Sequence, residues 1–259
     1  MTSRFRGSVK EALAFAAMRA RTSEALDALQ VQPTFAGFDT GSYPGDAAMT
    51  ALQVAGFSIS SLYLTHGPGR ESPQLIDHRW ILKANTLRQA GWGLVPIYVG
   101  AQPPGSSSLG PPSDPVGNAI VDAQEAASLA GQAGLAPGST LFLDVEHAFA
   151  SGSPYESYVL KWLEVVTGSG FKTAIYCFPT QVAWAATQGI PIWTVHLNGQ
   201  SGRKDDTGQV HWSELTSPLP ADPIDPGATG TQTRFYCHAA ETGIELDYDR
   251  WLVPDPSLM

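Results

Sequence analysis

Basic residues are scarce in this 259-residue chain: 15 Lys and Arg stand against 24 Asp and Glu, a formal net charge of −9. Phosphate backbones are gripped by clustered Lys and Arg, so nucleic acid is not an expected partner. Adsorption to anionic membrane surfaces is disfavoured for the same reason. Cysteine is rarer still. Cys177 and Cys237 are the only two, too few for a disulfide scaffold or a multi-cysteine zinc site. Each sits in an apolar run, which favours two buried free thiols and leaves a bridge open. No apolar run reaches the 18 or so residues that span a bilayer, so membrane insertion is not expected. The apolar stretch 12–18 follows Arg4, Arg6 and Lys10 but runs straight into Arg19 and Arg21 without a clear cleavage site. It reads as an amphipathic helix and not a classical signal peptide, leaving cytoplasmic residence or export by a non-classical route. A Walker or Rossmann phosphate loop, a G-x-S-x-G elbow and an H-x-x-x-H spacing are all missing. No cofactor and no metal are therefore expected.

What is present suits a globular protein with a filled core: 43% apolar and 15% charged residues. Seven Trp and eight Tyr are compatible with a neutral, hydroxyl-rich ligand. The length fits the roughly 250 residues of a (β/α)8 barrel. Residues 9–30 form a helical preface with no strand before it, which assigns 1–32 to an N-terminal extension and 33–259 to the main domain. There the chain alternates short β-type runs with helical runs, the βαβα pattern of a parallel sheet. Strands are expected at 34–39, 58–65, 93–99, 140–146, 172–178 and 192–197. Helices are expected near 46–55, 75–90, 118–133 and 180–187. The run Tyr155, Tyr158, Val159, Trp162 and Val166 has the i, i+3, i+4, i+7 spacing of one more. The Pro-rich connection 101–118 reads as a long loop beside the site. Beyond 199 the alternation breaks, with a short strand near 210–212, a last strand over 233–238, and 244–251 returning as a hairpin. The fold class is thus α/β, a TIM-type barrel that loses helices in its last third.

The segment Leu141-Phe142-Leu143-Asp144-Val145-Glu146 carries the most chemical information. Side chains alternate across a strand, so Phe142, Asp144 and Glu146 share one face and Leu141, Leu143 and Val145 the other. The apolar face belongs against helices, which points the acids toward the barrel axis at its carboxyl end, where barrel enzymes place catalytic groups. Repulsion and desolvation raise the pKa of one acid of such a pair and leave the other a carboxylate, a division that glycoside hydrolysis needs. A salt-bridged or solvated pair is the plain alternative. Asp39 ends the first strand after Gly37, a small residue that leaves room at a barrel mouth. Tyr63, Tyr98, Tyr176 and Trp193 are candidates to stack on sugar rings, although strand aromatics are more often core. His196 falls at a strand end, and His147, next to Glu146, is expected to point away from it.

The segments Gly37-Phe38-Asp39, 94–100, 141–146 and Thr173-Ala174-Ile175-Tyr176 occur in order and at familiar spacing. Over about 34–252 the chain resembles bacterial glycoside-hydrolase-like domains of unknown function related to family 25 lysozymes. The resemblance implies a TIM-type barrel with a muramidase-like site. It implies Glu146 as proton donor, Asp144 as its carboxylate partner and Asp39 as the first-strand acid. It also implies Tyr176 and Trp193 as substrate contacts and Asp247 as a further acid. The lysozymes end on a Trp-Gln-Tyr strand and a D-x-N segment. Here stand Phe235-Tyr236-Cys237-His238 and Asp247-Tyr248-Asp249, so a glutamine is lost and Asp249 replaces the amide.

Two functions follow. One is hydrolysis of a β-linked glycan, peptidoglycan or a related envelope polysaccharide, with Glu146, Asp144 and Asp39 catalytic and Asp247, Tyr176, Trp193, Tyr98, Tyr63 and His196 holding substrate. The other is a catalytically weak or inactive barrel that binds cell-wall glycan. An effector or phage-type lytic protein is a third possibility.

Overall fold

The computed structural model describes residues 33–64, 78–104, 111–195, 203–204, 210–211, 214–240 and 242–259. The chain divides at Thr34, and the expected N-terminal helical extension lies outside the described residues. From Thr34 onward the strands are β1 (Phe35–Asp39), β2 (Ile59–Leu64), β3 (Gly93–Tyr98), β4 (Thr140–Val145), β5 (Lys172–Cys177) and β6 (Ile192–Val195). The short β7 (Arg203–Lys204), β8 (Val210–His211) and β9 (Glu214–Leu215) precede β10 (Gly230–Ala239) and β11 (Ile244–Trp251). The helices are α1 (Asp46–Ala55), α2 (Arg79–Gln89), α3 (Pro115–Gln132), α4 (Pro154–Gly168) and α5 (Pro179–Thr187).

Strands β1 to β6 pair in sequence order and in parallel, β6 pairs with β10, and β11 returns antiparallel to β10 and closes onto β1. The result is a closed, mostly parallel barrel of eight strands. An α-helix follows each of the first five strands; among the described residues β6 and β10 are followed by no helix and β11 only by a short 3-10 turn at Pro256–Leu258. The expected strand over 233–238 in fact starts at Gly230, because Gly230, Thr231 and Gln232 pair with Trp193, Thr194 and Val195.

Local chemistry explains the helices. Met49, Leu52 and Ala55 bury one face of α1, which stops at Gly56 in the left-handed conformation at φ 112°. Helices α3 and α4 begin with Pro after Asp114 and Ser153, whose side chains accept backbone N–H bonds from Gly117 and Glu156. Ala119, Ala123, Ala126 and Ala130 give α3 a small-residue face. Against it lies α4 with buried Tyr158 and Trp162, and the Tyr158 hydroxyl donates to Asp122 at 2.6 Å. Each fully buried large side chain of this layer contributes about 2 kcal/mol of transfer free energy. Cys177 and Cys237 are both buried, and no disulfide joins them.

Inside the barrel a second, smaller core gathers Ile59, Val95, Ile97, Phe142, Trp193, Val195 and Trp251. Its floor is Trp251. A Cβ on Gly37 would lie 2.9 Å from the indole, and one on Gly230 only 2.5 Å. The room that Gly37 leaves is therefore filled by Trp251 at the closed end and does not open the mouth. Below, Thr140 and Lys172 donate to the Met259 carbonyl oxygen, and the Leu94 N–H donates to Asp255, which stoppers that end. Among the described residues the barrel opens at the other rim.

Candidate active site

Strand register brings the acids together. Asp39 sits opposite Asp247 across the β1–β11 seam, and Asp144 opposite Tyr176 across β4–β5. Asp247 and Asp249, two residues apart on β11, share the inner face. Above them opens a cavity of about 260 Å³ lined by Asp39, Tyr63, Ile97, Asp144, Glu146, His147, Tyr176, Phe178, Trp193, Gln232, Phe235, Tyr236 and Asp247. Lys and Arg are missing from that lining among the described residues.

Gln232 is the organising residue. Its amide nitrogen donates to Asp39 at 3.0 Å and to Asp247 at 2.7 Å, while its carbonyl accepts from the Tyr176 hydroxyl at 2.5 Å. The Tyr63 hydroxyl donates to the other oxygen of Asp39 at 3.0 Å. The other oxygen of Asp247 accepts the Tyr236 N–H at 2.6 Å. That contact exists because β10 bulges between Arg234 and Cys237, where Tyr236 takes φ 50°. A tyrosine there is strained, and bulges beside sites re-aim side chains in this manner. Asp144 stands apart. It is 6% exposed, and among the described residues its Oδ1 has no hydrogen-bond partner. Its backbone is braced by buried Gln102, which donates to the Asp144 carbonyl at 3.0 Å and accepts the Glu146 N–H at 3.1 Å.

Desolvation dominates the electrostatics. Burial pushes Asp39 from 3.8 up to about 7, against the pull of the Tyr63 hydrogen bond. Burial, then the charges of Glu146 and Asp39, hold Asp144 well above the usual carboxylate range. Asp247 is raised by burial and by Asp39, with the Tyr236 and Gln232 bonds pulling back. Asp249 is raised by burial and by Asp39 and Asp247. With no cation in the lining, charge in this well is limited by protonation. At the end of β4 the fold drives Asp144 toward its neutral form.

The structure thus gathers Asp39, Asp144, Glu146, Asp247, Tyr63, Tyr176 and Trp193 around one cavity. It does not bring Tyr98 there: that side chain lies on the outer face of β3, fully buried, with its hydroxyl donating to Glu125 of α3 at 2.8 Å. Trp193 is a wall and not a platform, 1% exposed and packed edge-on against Tyr176 at 4.7 Å. His196 lies outside the described residues. His147, expected to point away, lines the cavity with its ring parallel to Phe178 at 6.2 Å. The strand ends at Val145, so alternation no longer governs it. Gln232, which the sequence does not mark out, lines the cavity, and Asp249 lies beneath it instead of at its mouth. Among the described residues no group of His, Cys, Asp or Glu is arranged to hold a metal ion, and no helix is long and apolar enough to cross a membrane.

Known proteins fit this architecture. The Tat-secreted protein Rv2525c of Mycobacterium tuberculosis superimposes with a TM-score of 0.54 at 16% identity, over 86% of this chain and 97% of that one. The spore cortex lytic enzyme SleM of Clostridium perfringens gives 0.56 at 13% identity, over 84% and 67%. GHIP, a glycosyl hydrolase 25 of Streptococcus pneumoniae, gives 0.52 at 15% identity, over 83% and 86%. At such identities the likeness is one of fold. No curated protein is significantly similar in sequence. The family model of the Rv2525c-like, glycoside hydrolase-like domain matches residues 50–251, and the chain therefore belongs to that family.

Proposed function

We propose that this barrel binds a saccharide of the bacterial cell envelope and that recognition, not turnover, is its principal work. The observation that carries this reading is how the acids are spent. Asp39 and Asp247 are tied to Tyr63, Gln232 and the Tyr236 N–H, which leaves them little freedom to take part in bond cleavage. Protonated carboxyls donate and accept hydrogen bonds as sugar hydroxyls do. The rim supplies Tyr63, Phe178, Phe235 and Tyr236, apolar faces suited to the CH face of a pyranose. A cavity of about 260 Å³ is just under the roughly 300–1,000 Å³ of drug-sized sites, room for one ring with the chain continuing outside.

One observation favours the rival, hydrolysis. Glu146 and Asp144 neighbour each other closely enough for the charge of one to raise the pKa of the other, which is the asymmetry that acid–base cleavage uses. In that reading Asp144, kept toward its neutral form, holds the proton for the leaving oxygen and Glu146, at the rim, is its partner, the reverse of the roles that the resemblance implies. Titration calorimetry with soluble peptidoglycan fragments, run beside a reducing-end assay on the same material, separates the two. Binding without turnover, surviving Glu146→Gln, is expected. Turnover abolished by Glu146→Gln would replace the binding reading, and fragments that fail to bind at millimolar concentration would end it.

A further inference from the structure

Among the described residues the well holds acids without a counter-ion, and the nearby Arg234 and Arg250 are directed elsewhere. Arg234 on β10 is held by Asp222 through two bonds of 2.7 and 3.0 Å. Arg250, adjacent to Asp249, lies on the opposite face of β11, donating to Thr34 and to the Tyr248 hydroxyl. Asp39 on β1, Asp144 and Glu146 at the end of β4, and Asp247 on β11 all line the cavity, with Asp249 beneath. The charge-free walls are Ile97 of β3 and Trp193 of β6, and the rim adds His147 and the Tyr236 hydroxyl. Two carboxyl oxygens within this cluster, Asp144 Oδ1 and Asp249 Oδ1, are buried without a hydrogen-bond partner. Of these, Asp144 opens onto the cavity.

Resting on the saccharide reading above, we propose that the ligand carries a free ammonium group, a de-N-acetylated amino sugar, and that Asp144 receives it. A donor is what the orphaned Asp144 oxygen lacks, and a buried polar atom left so destabilises the site until it is matched. A hydroxyl could match the hydrogen bond but not the charge. An ammonium matches both, and lets Asp144 and its neighbours ionise in a site where burial otherwise suppresses it. The surrounding Tyr63, Phe178, Phe235 and Tyr236 add aromatic faces that attract cations. N-acetylation removes the charge and places an acetyl group against the acids.

The test compares the glucosamine trisaccharide with its fully N-acetylated counterpart by titration calorimetry at neutral pH, with ethanolamine as an amine that is not a sugar. At least tenfold tighter binding of the free-amine trisaccharide is expected, with Asp144→Asn reducing the gap to about twofold. The ligand pair carries the comparison in the unmodified protein, whether or not that variant folds. Equal or tighter binding of the N-acetylated sugar overturns the inference and leaves the saccharide reading standing. Binding of ethanolamine with neither sugar bound supports the cation site and removes the saccharide reading. Silence from all three ligands removes both.

Discussion

Asp39→Asn should change how stability depends on pH more than it changes stability at any one pH. In the unfolded chain this carboxyl titrates near 3.8, and in the barrel at about 7. Below 3.8 both states are protonated and the group contributes nothing. Between 3.8 and about 7 the unfolded chain ionises while the folded protein keeps its proton, so the unfolded state binds fewer protons and stability falls as pH rises. Above about 7 the loss is complete and constant. At about 1.4 kcal/mol per pH unit, that interval comes to about 4 kcal/mol. Asparagine cannot ionise, so this slope should flatten. A second, pH-independent effect is expected, because the new amide places a donor against the Gln232 amide that now donates to Asp39 at 3.0 Å. That mismatch costs about 1–3 kcal/mol and lowers the curve without tilting it. Urea unfolding at half-unit steps from pH 4 to 8, for parent and variant, measures both. A parent whose stability rises through this window, or a variant with the same slope as the parent, would refute the reasoning.

Gly230→Ala should lower the melting temperature, because the added methyl meets Trp251 ring carbons at 2.5 Å. Overpacking of this kind costs about 1–3 kcal/mol, and at this chain length each kcal/mol moves the midpoint by about 2–4 °C; an unchanged melting curve would contradict the Trp251 floor. Tyr98→Phe should cost about 1.5–3 kcal/mol through its bond to Glu125 and leave glycan affinity intact, so lost affinity with unchanged stability would return Tyr98 to the site. Gln102→Leu should do both, destabilising the protein and weakening binding several-fold. It strips partners from the Asp144 carbonyl and the Glu146 N–H, and calorimetry with thermal unfolding checks the pair.

Much of this arrangement could be read in the sequence where a polar residue broke an apolar pattern. Asp144 fixes the phase of β4, since an acid among Leu141, Leu143 and Val145 can face only one way. Strand β3 offers no such mark: Leu94, Val95, Ile97 and Tyr98 are all buried, because a parallel strand meets core on both faces. Its phase is not legible, so the sequence leaves Tyr98 open between sugar contact and core, and the structure places it in the core. Gln232 escaped notice for another reason. Its strand begins in a Gly- and Thr-rich stretch that reads as loop, and only pairing with β6 and β11 makes it a strand. Tyr236 needs a bulge, and His147 needs the end of a strand, both properties of three-dimensional pairing. That no α-helix follows β6 among the described residues is legible from composition alone, as Gly, Pro, Asp and Ser replace periodic apolar residues.

The antiparallel return of β11 onto β1 has a consequence for how the molecule matures. Asp39 and Asp247 come from opposite ends of the barrel's chain, and Gln232 reaches Asp39 across 193 residues of separation. Closing so long a loop carries an entropic cost before its contacts repay it, so the seam is expected to be joined late in folding. A nascent or partly zipped barrel then has no complete pocket to offer. Ligand capture becomes a signature that the two edges of the cylinder have met.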